Sequence, residues 1–403
     1  MNYSKDYFRK HLQEKILPFW SRLEDKENGG FYGYMDVNHN LDKKADKGMI
    51  LNSRILWFYA NCFLTLSDDP NRGEYLRLAK VAYDFLIVHG FDRENPGIYW
   101  MVTCDGEASD STKHSYNQAF AIYALSSYYD ASKDADALRK ALELYHLLED
   151  TCFKGDGYEE AYLRDYSGLV ENDKLSENGV IATRTMNTLL HIWEAYTELY
   201  RVLDKKGDEA SMVAKSMNTI LRIFIEKVYS EGNRRLEVFF DDEYNSLIDL
   251  YSYGHDIEAS WLLNRGIDVL GEATDSNLKT KTEEIIDVLI SHVYEQGYDK
   301  IRHATMAECE NGIDAIQKIW WVQAESIIGF TNGYSRNSGI VEYKQAASDI
   351  WEFTLGNIVD ASPEGEWFQE KDSPEGEKFP MVSPWKCPYH NGRMCLEMIN
   401  RLG

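Results

Sequence analysis

The sequence has no run of about eighteen uninterrupted apolar residues, so no segment reads as a membrane-spanning helix. It has no C-x-x-C pair. The six cysteines, at 62, 104, 152, 309, 387 and 395, are scattered and read as reduced thiols rather than a zinc site or a disulfide framework. Lysine and arginine are scarce beside aspartate and glutamate, 43 against 67, and the net charge of −24 repels nucleic acid and anionic membranes. No basic tract offsets that balance. P-loop, dinucleotide-binding glycine and G-x-S-x-G patterns are all missing. The opening Met1-Asn2-Tyr3-Ser4-Lys5-Asp6 lacks the basic stretch and apolar core of a secretion signal, and a cytoplasmic protein is expected.

What is plentiful is aromatic: 27 Tyr and 10 Trp, more than packing alone accounts for. A neutral sugar pocket uses such a surplus, because pyranose C–H faces pack on rings while polar groups take the hydroxyls.

A short element, usually Gly followed by an aromatic, recurs along the chain. It appears as Gly30-Phe31, Gly97-Ile98-Tyr99, Gly157-Tyr158, Gly297-Tyr298 and Gly365-Glu366-Trp367, with a degenerate copy at Leu236-Glu237-Val238-Phe239-Phe240. These read as short strands closing in polar turns. Each copy is followed by a helix that is apolar nearly all round, predicted at 52–66, 115–129, 186–203, 255–269, 316–330 and 389–402. Amphipathic helices lie between them, at 5–20, 74–88, 135–149, 209–228, 279–293 and 343–355. A helix without a polar face is buried on all sides, so the alternation predicts an inner ring of helices inside an outer one.

One polar or aromatic residue stands near the start of each inner helix: Arg54, Tyr116, Asn187, His255, Trp321 and His390. Their spacings are 62, 71, 68, 66 and 69 residues. Six helical hairpins in this register make an (α/α)6 barrel, an all-α toroid of one domain over 1–403 with short β-hairpins and long loops at one end. The six residues then converge at that end of the axis.

His255 and Glu258 share a helix face, and a carboxylate beside an imidazole fixes its tautomer and favours its protonated form. His390 follows Pro388 and falls in a first helical turn, where the dipole lowers an imidazole's pKa. His191 shares a face with Asn187. His114 reads as a cap or loop residue, and the histidines at 11, 39, 89, 146, 292 and 303 as surface. Arg54 enters an apolar helix and needs a partner, either Glu258 or another carboxylate, or the oxyanion of a reacting substrate. Trp320 and Trp321 point about 100° apart on a helix, and register turns Trp321 to the axis; Trp385 is a second candidate sugar platform. No metal-ligand cluster is visible.

Histidines and an arginine, rather than two opposed carboxylates, suit moving a proton at a carbon next to a carbonyl. One imidazole removes the C2 proton of an opened sugar, Arg54 stabilises the enediolate, and a second imidazole returns a proton to the other face. Neither metal nor redox cofactor enters this scheme.

The stretches Asn28–Gly33, Lys43–Gly48 through Arg54, Met186-Asn187-Thr188, Gly254–Glu258 and Trp385–His390 resemble the N-acylglucosamine 2-epimerase superfamily, and within it the bacterial cellobiose 2-epimerase branch. The resemblance runs over essentially the whole chain. It implies the (α/α)6 barrel and inversion at C2 of the reducing-end glucose of β-1,4-linked disaccharides, converting cellobiose to glucosyl-mannose and lactose to epilactose. It also implies that His255 and His390 are the acid/base pair, Arg54 holds the C1 and C2 oxygens, His191 assists, Glu258 orients His255, and Tyr116, Asn187, Trp321 and Trp385 line the sugar subsites. A monomer or weak homo-oligomer is expected, without nucleic-acid or membrane partners. The alternatives within the superfamily are N-acylglucosamine 2-epimerase and mannose–fructose isomerase. A more distant one is a glycoside hydrolase on the same toroid, using Glu258 with Asp256, Glu325 or Glu366.

Overall fold

The computed structural model describes residues 3–172, 174–175, 178–371 and 379–402; Met1 and Asn2 of the opening stretch lie outside them. Helix α1 runs through Lys5–His11, a π turn Leu12–Ile16, and Leu17–Ser21. It is followed by α2 Met49–Thr65, α3 Arg72–Phe85, α4 Ser115–Ser132, α5 Ala135–Leu147 and α6 Met186–Val202. The second half contains α7 Asp208–Ile223, α8 Tyr253–Leu270, α9 Ser276–His292, α10 Trp320–Arg336, α11 Val341–Asn357 and α12 His390–Arg401.

Each even-numbered helix packs on the next, and α12 returns to α2, closing a ring. Each odd-numbered helix packs outside an even one, with α1 against α12. This is the (α/α)6 barrel read from the repeat. Burial follows the two patterns: α4 is buried without a break from Ser115 to Tyr128, whereas α7 buries Ala210, Val213, Ala214, Met217, Ile220 and Leu221 at helical spacing. Missing side chains let the inner helices approach. A Cβ on Gly392 of α12 would lie 2.5 Å from Phe58 of α2 at the closing seam, and one on Gly266 of α8 would lie 2.1 Å from Trp193 of α6.

Four outer helices end in five-residue π turns, at Leu86–Gly90, Leu148–Cys152, Phe224–Val228 and Val293–Gly297, each leading into a tiny hairpin. The hairpins pair Phe91 with Ile98, Phe153 with Tyr158, Tyr229–Ser230 with Arg235–Leu236, and Tyr298–Asp299 with Ala304–Thr305. Equivalent bridges join Glu24 to Phe31 and Val359 to Trp367. Five copies of the recurring element therefore form the second arm of a hairpin. Gly297-Tyr298 is out of register with them and forms a first arm, as Gly90-Phe91 does. The fifth inner helix also differs from its predicted span: it begins at Trp320, because Lys318–Ile319 pairs as a strand with Glu370–Lys371.

The strands entering the inner helices are pinned by cations two residues before the helix. Lys47 lies 2.7 Å from Asp25, Lys113 3.1 Å from Asp92, Arg184 2.8 Å from Asp156, and Lys318 3.7 Å from Asp299. The first two pairs are wholly buried; Asp92 also binds Arg164, but Lys47 and Asp25 have only each other as ionic partners among the described residues, so either alone would be an uncompensated charge. Lys47→Met is therefore expected to cost about 3–5 kcal/mol, read as a fall in the urea midpoint. Lys47→Met/Asp25→Leu should recover most of that loss; an equal loss in single and double variants would show that the pair does not pin the strand.

Candidate active site

The first two turns of the six inner helices converge on a cavity of about 520 Å³. Tyr116, Asn187 and Trp321 are the second residues of their helices, His255 the third and His390 the first, while Arg54 enters one turn deeper. All six line the cavity, together with His191, Glu258 and Trp385. The positive ends of six helix dipoles thus face one space, a setting that favours negative charge.

A second layer lies one turn below. Stepping along the inner helices gives Arg54, Phe120, His191, Glu258, Glu325 and Arg393, again 66 to 71 residues apart. Three of its members, Phe120, Glu325 and Arg393, are missing from the residues first singled out as an epimerase site, although this shifted register marks them. Arg393 is buried and donates to Glu194 and Glu258 at 2.5 Å and to Glu325 at 2.8 Å. Tyr389 donates to Glu194 and accepts from Arg393.

This network corrects the expected partner of His255. Glu258 is turned to Arg393, and the Nδ1 of His255 lies 2.7 Å from Ser252 Oγ instead. The expectation of a carboxylate-favoured imidazolium therefore fails: burial, aided by His191, lowers the His255 pKa to about 3. The other two imidazoles do have carboxylates at Nδ1. His191 lies 2.9 Å from Glu194 and His390 2.8 Å from Glu325. Burial, then Arg393 and Arg54, nonetheless holds His390 well below the usual imidazole range. Burial alone would raise Glu194, but Arg393 and His191 outweigh it and leave a carboxylate titrating at about 2.

Arg54 has no carboxylate partner among the described residues. Its guanidinium lies over the rings of Phe120 and Tyr389, 4.1 and 4.6 Å from their centroids, and donates to Tyr116 Oη at 2.9 Å. Aromatic faces thus hold the charge in place without neutralising it. The Trp321 ring packs on both His255 and His390, at 4.9 and 5.5 Å. Trp320 also touches the cavity, beneath Lys386. Trp385 sits at the mouth, partly exposed, against Trp100 and Tyr116. Among the histidines read as surface, His11 is instead buried and accepts from Trp367 Nε1 at 2.9 Å.

The family model for N-acylglucosamine 2-epimerase (GlcNAc 2-epimerase) matches residues 30–391. The chain belongs to this family. It is 47% identical to the cellobiose 2-epimerase of Eubacterium cellulosolvens, over 97% of this chain and 96% of that protein. It is 45% identical to the cellobiose 2-epimerase of Ruminococcus albus, over 98% and 97%. The solved structure of cellobiose 2-epimerase from Bacillus thermoamylovorans B4167 superposes with a TM-score of 0.91, at 38% identity and full coverage of both chains. The chain is accordingly an isomerase of the sugar-epimerase kind.

The glycoside hydrolase alternative does not fit this epimerase-family site. Asp256 faces the backbone N–H of Leu236, Glu325 is held by Arg393 and Trp261, and Glu366 is held by Lys386 and Trp20. Of the carboxylates considered for hydrolysis, Glu258 alone lines the cavity. Glu258, Glu325 and His390 bring donor atoms within 4.8 Å of one another. The Arg393 guanidinium already bonds both of those carboxylates, so a cation is in place there.

Burial, then Glu325, raises Glu258 from its ordinary 4.5 to about 7 against the pull of Arg393. A raised carboxyl contributes stability that is complete below its unfolded value and is lost as pH rises through the folded one. The advantage of the wild type over Glu258→Gln in urea midpoint should therefore shrink from pH 5 to pH 8.5. A constant or growing advantage would mean that Glu258 is ionised in the folded protein at neutral pH.

Proposed function

We propose that this chain inverts C2 of the reducing-end glucose of β-1,4-linked disaccharides, taking cellobiose to glucosyl-mannose and lactose to epilactose. The observation that carries the chemistry is Arg54, a guanidinium without a carboxylate partner among the described residues, lining the same cavity as His255 and His390. The substrate class is supported by relatives named cellobiose 2-epimerase at 45–47% identity. The cavity volume also lies within the range of small-molecule sites.

In this reading the sugar ring opens first: the C1–O5 bond breaks, O5 gains a proton and O1 loses one, with His191 assisting. One of His255 and His390 then takes the C2 proton on Nε2. The electron pair left at C2 moves into the C1–C2 bond, and the resulting enediolate carries negative charge on O1. Arg54 and the converging helix N-termini stabilise that charge. The other imidazole, charged by the proton that O1 gave up on ring opening, delivers that proton to C2 from the opposite face. Burial keeps both imidazoles neutral at rest, as an acceptor of a carbon-bound proton must be. Trp321 and Trp385 supply stacking faces, and Tyr116 and Asn187 supply hydrogen bonds to hydroxyls. Glu258 serves these roles through Arg393.

We read residues 1–403 as one catalytic domain, a cytoplasmic enzyme acting as a monomer or weak homo-oligomer on a small sugar. The packing of α1 against α12 supports the single domain, since the two ends of the chain complete one ring. No helix among the described residues is long and apolar enough to cross a membrane.

Incubation of cellobiose with the enzyme in D2O, followed by NMR, tests the reading. Glucosyl-mannose carrying deuterium at C2 is expected; a ketose would indicate isomerisation, free glucose hydrolysis, and conversion of N-acetylglucosamine alone a different substrate class. His255→Ala and His390→Ala should each lower turnover by roughly 10²–10⁴-fold while the fold persists. Full activity in either variant would remove that residue from the mechanism.

A further inference from the structure

Ser252 occupies the N-cap position of α8, where a serine side chain ordinarily accepts a hydrogen bond from the second or third backbone N–H of the helix. Thr185, at the same place on α6, does so by accepting from Thr188 N–H. Ser252 makes no such cap bond. Its Oγ is instead 2.7 Å from His255 Nδ1, and both residues line the cavity. The helix start has given up a stabilising bond, and the hydroxyl has gone to an imidazole.

Comparison of the three cavity imidazoles shows what this changes. His191 and His390 have Glu194 and Glu325 at Nδ1, so an imidazolium at either position meets a carboxylate. His255 has a hydroxyl. The groups facing it from the neighbouring helices are His191, His390 and the Trp321 ring, while Glu258 on its own helix is turned to Arg393. A neutral imidazole with its Nε2 lone pair in the cavity carries its proton on Nδ1, and Ser252 Oγ is the acceptor at that nitrogen.

We propose that Ser252 is the positioning residue of His255: it fixes the ring with Nε2 towards the sugar and, unlike the carboxylates behind His191 and His390, adds no charge that would hold a proton there. This rests on the reading of His255 as one of the two C2 bases. The three histidines then divide by what backs them. Two are stabilised as acids once protonated, and one gives its proton up readily, which suits a reaction that must run in both directions across C2.

The test compares Ser252→Ala, Ser252→Thr and His255→Ala on cellobiose, with thermal midpoints and ¹⁵N spectra of histidine-labelled protein. Because Oγ makes no cap bond, Ser252→Ala should keep the wild-type midpoint. Its kcat is expected to fall about 10–100-fold with little change in KM. Ser252→Thr, which keeps the hydroxyl, should recover most of the loss. The His255 resonances, assigned by their disappearance in His255→Ala, should show Nδ1–H in the wild type and a mixture of tautomers in Ser252→Ala. A lowered midpoint with unchanged kcat would make Ser252 a helix cap and overturn the proposal. So would failure of threonine to rescue a slowed alanine variant. Undiminished epimerisation by His255→Ala would instead remove the reading of the site itself, and the proposal with it.

Discussion

Arg393 is the group on which the site's geometry depends. It is buried at the axis one turn below the cavity and bonds three carboxylates contributed by three different inner helices: Glu194 from α6, Glu258 from α8 and Glu325 from α10. Three glutamates in one apolar interior would repel one another and shed their charge by protonation. With the guanidinium among them, Glu194 stays an anion, while Glu258 is held at about 7. Two of the three then set the histidines above, Glu194 behind His191 and Glu325 behind His390. A single cation therefore fixes the charge and direction of groups that arrive from widely separated parts of the chain.

That cation lies on the helix that closes the ring. Helix α12 carries His390 at its first position and Arg393 one turn later, and it packs between α10 and α2. The helix that meets Phe58 at the closing seam through Gly392 is thus also the one that brings the glutamates their counter-ion. At the opposite ends of the inner helices a separate set of ion pairs, Glu198 with Arg265 and Glu397 with Arg265 and Arg401, links α6, α8 and α12. Charge pairing ties the ring at both levels, and at the upper one the cavity remains.

The register of inner-helix starts made the barrel and the cavity-facing layer legible before any coordinates, because a six-fold repeat forces equivalent positions to one end. The layer beneath was not legible, for a physical reason. Glu194, Glu325 and Arg393 are charged residues in helices that otherwise read as core, and although Glu194 meets His191 three residues away, the bonds that tie Arg393 to the glutamates and His390 to Glu325 span 65 or more residues, beyond any local spacing rule. The local rule that was available misled: three residues apart on one face, Glu258 looks like the partner of His255. Side chains on a helix lean towards its N-terminus, so the imidazole meets Ser252 and the glutamate goes to the axis. His11 failed as a surface residue in the same way, since its partner Trp367 comes from the far end of the chain.

The toroid alone does not choose the chemistry, because function resides in the groups placed on a fold rather than in the fold. What distinguishes this ring is how its two layers divide the charge. Glu194, Glu258 and Glu325 are all tied to Arg393, so that Glu258, which lines the cavity, is paired, whereas the Arg54 guanidinium rests on Phe120 and Tyr389 without a carboxylate partner among the described residues. A pair of free carboxylates at that level would favour stabilising a positive oxocarbenium centre. A free guanidinium beneath six helix N-termini favours the opposite charge, the oxyanion of an enediolate. The network around Arg393 therefore does more than hold the histidines: by pairing Glu258 with a guanidinium of its own, it leaves Arg54 without a carboxylate, as the proposed enediolate chemistry requires.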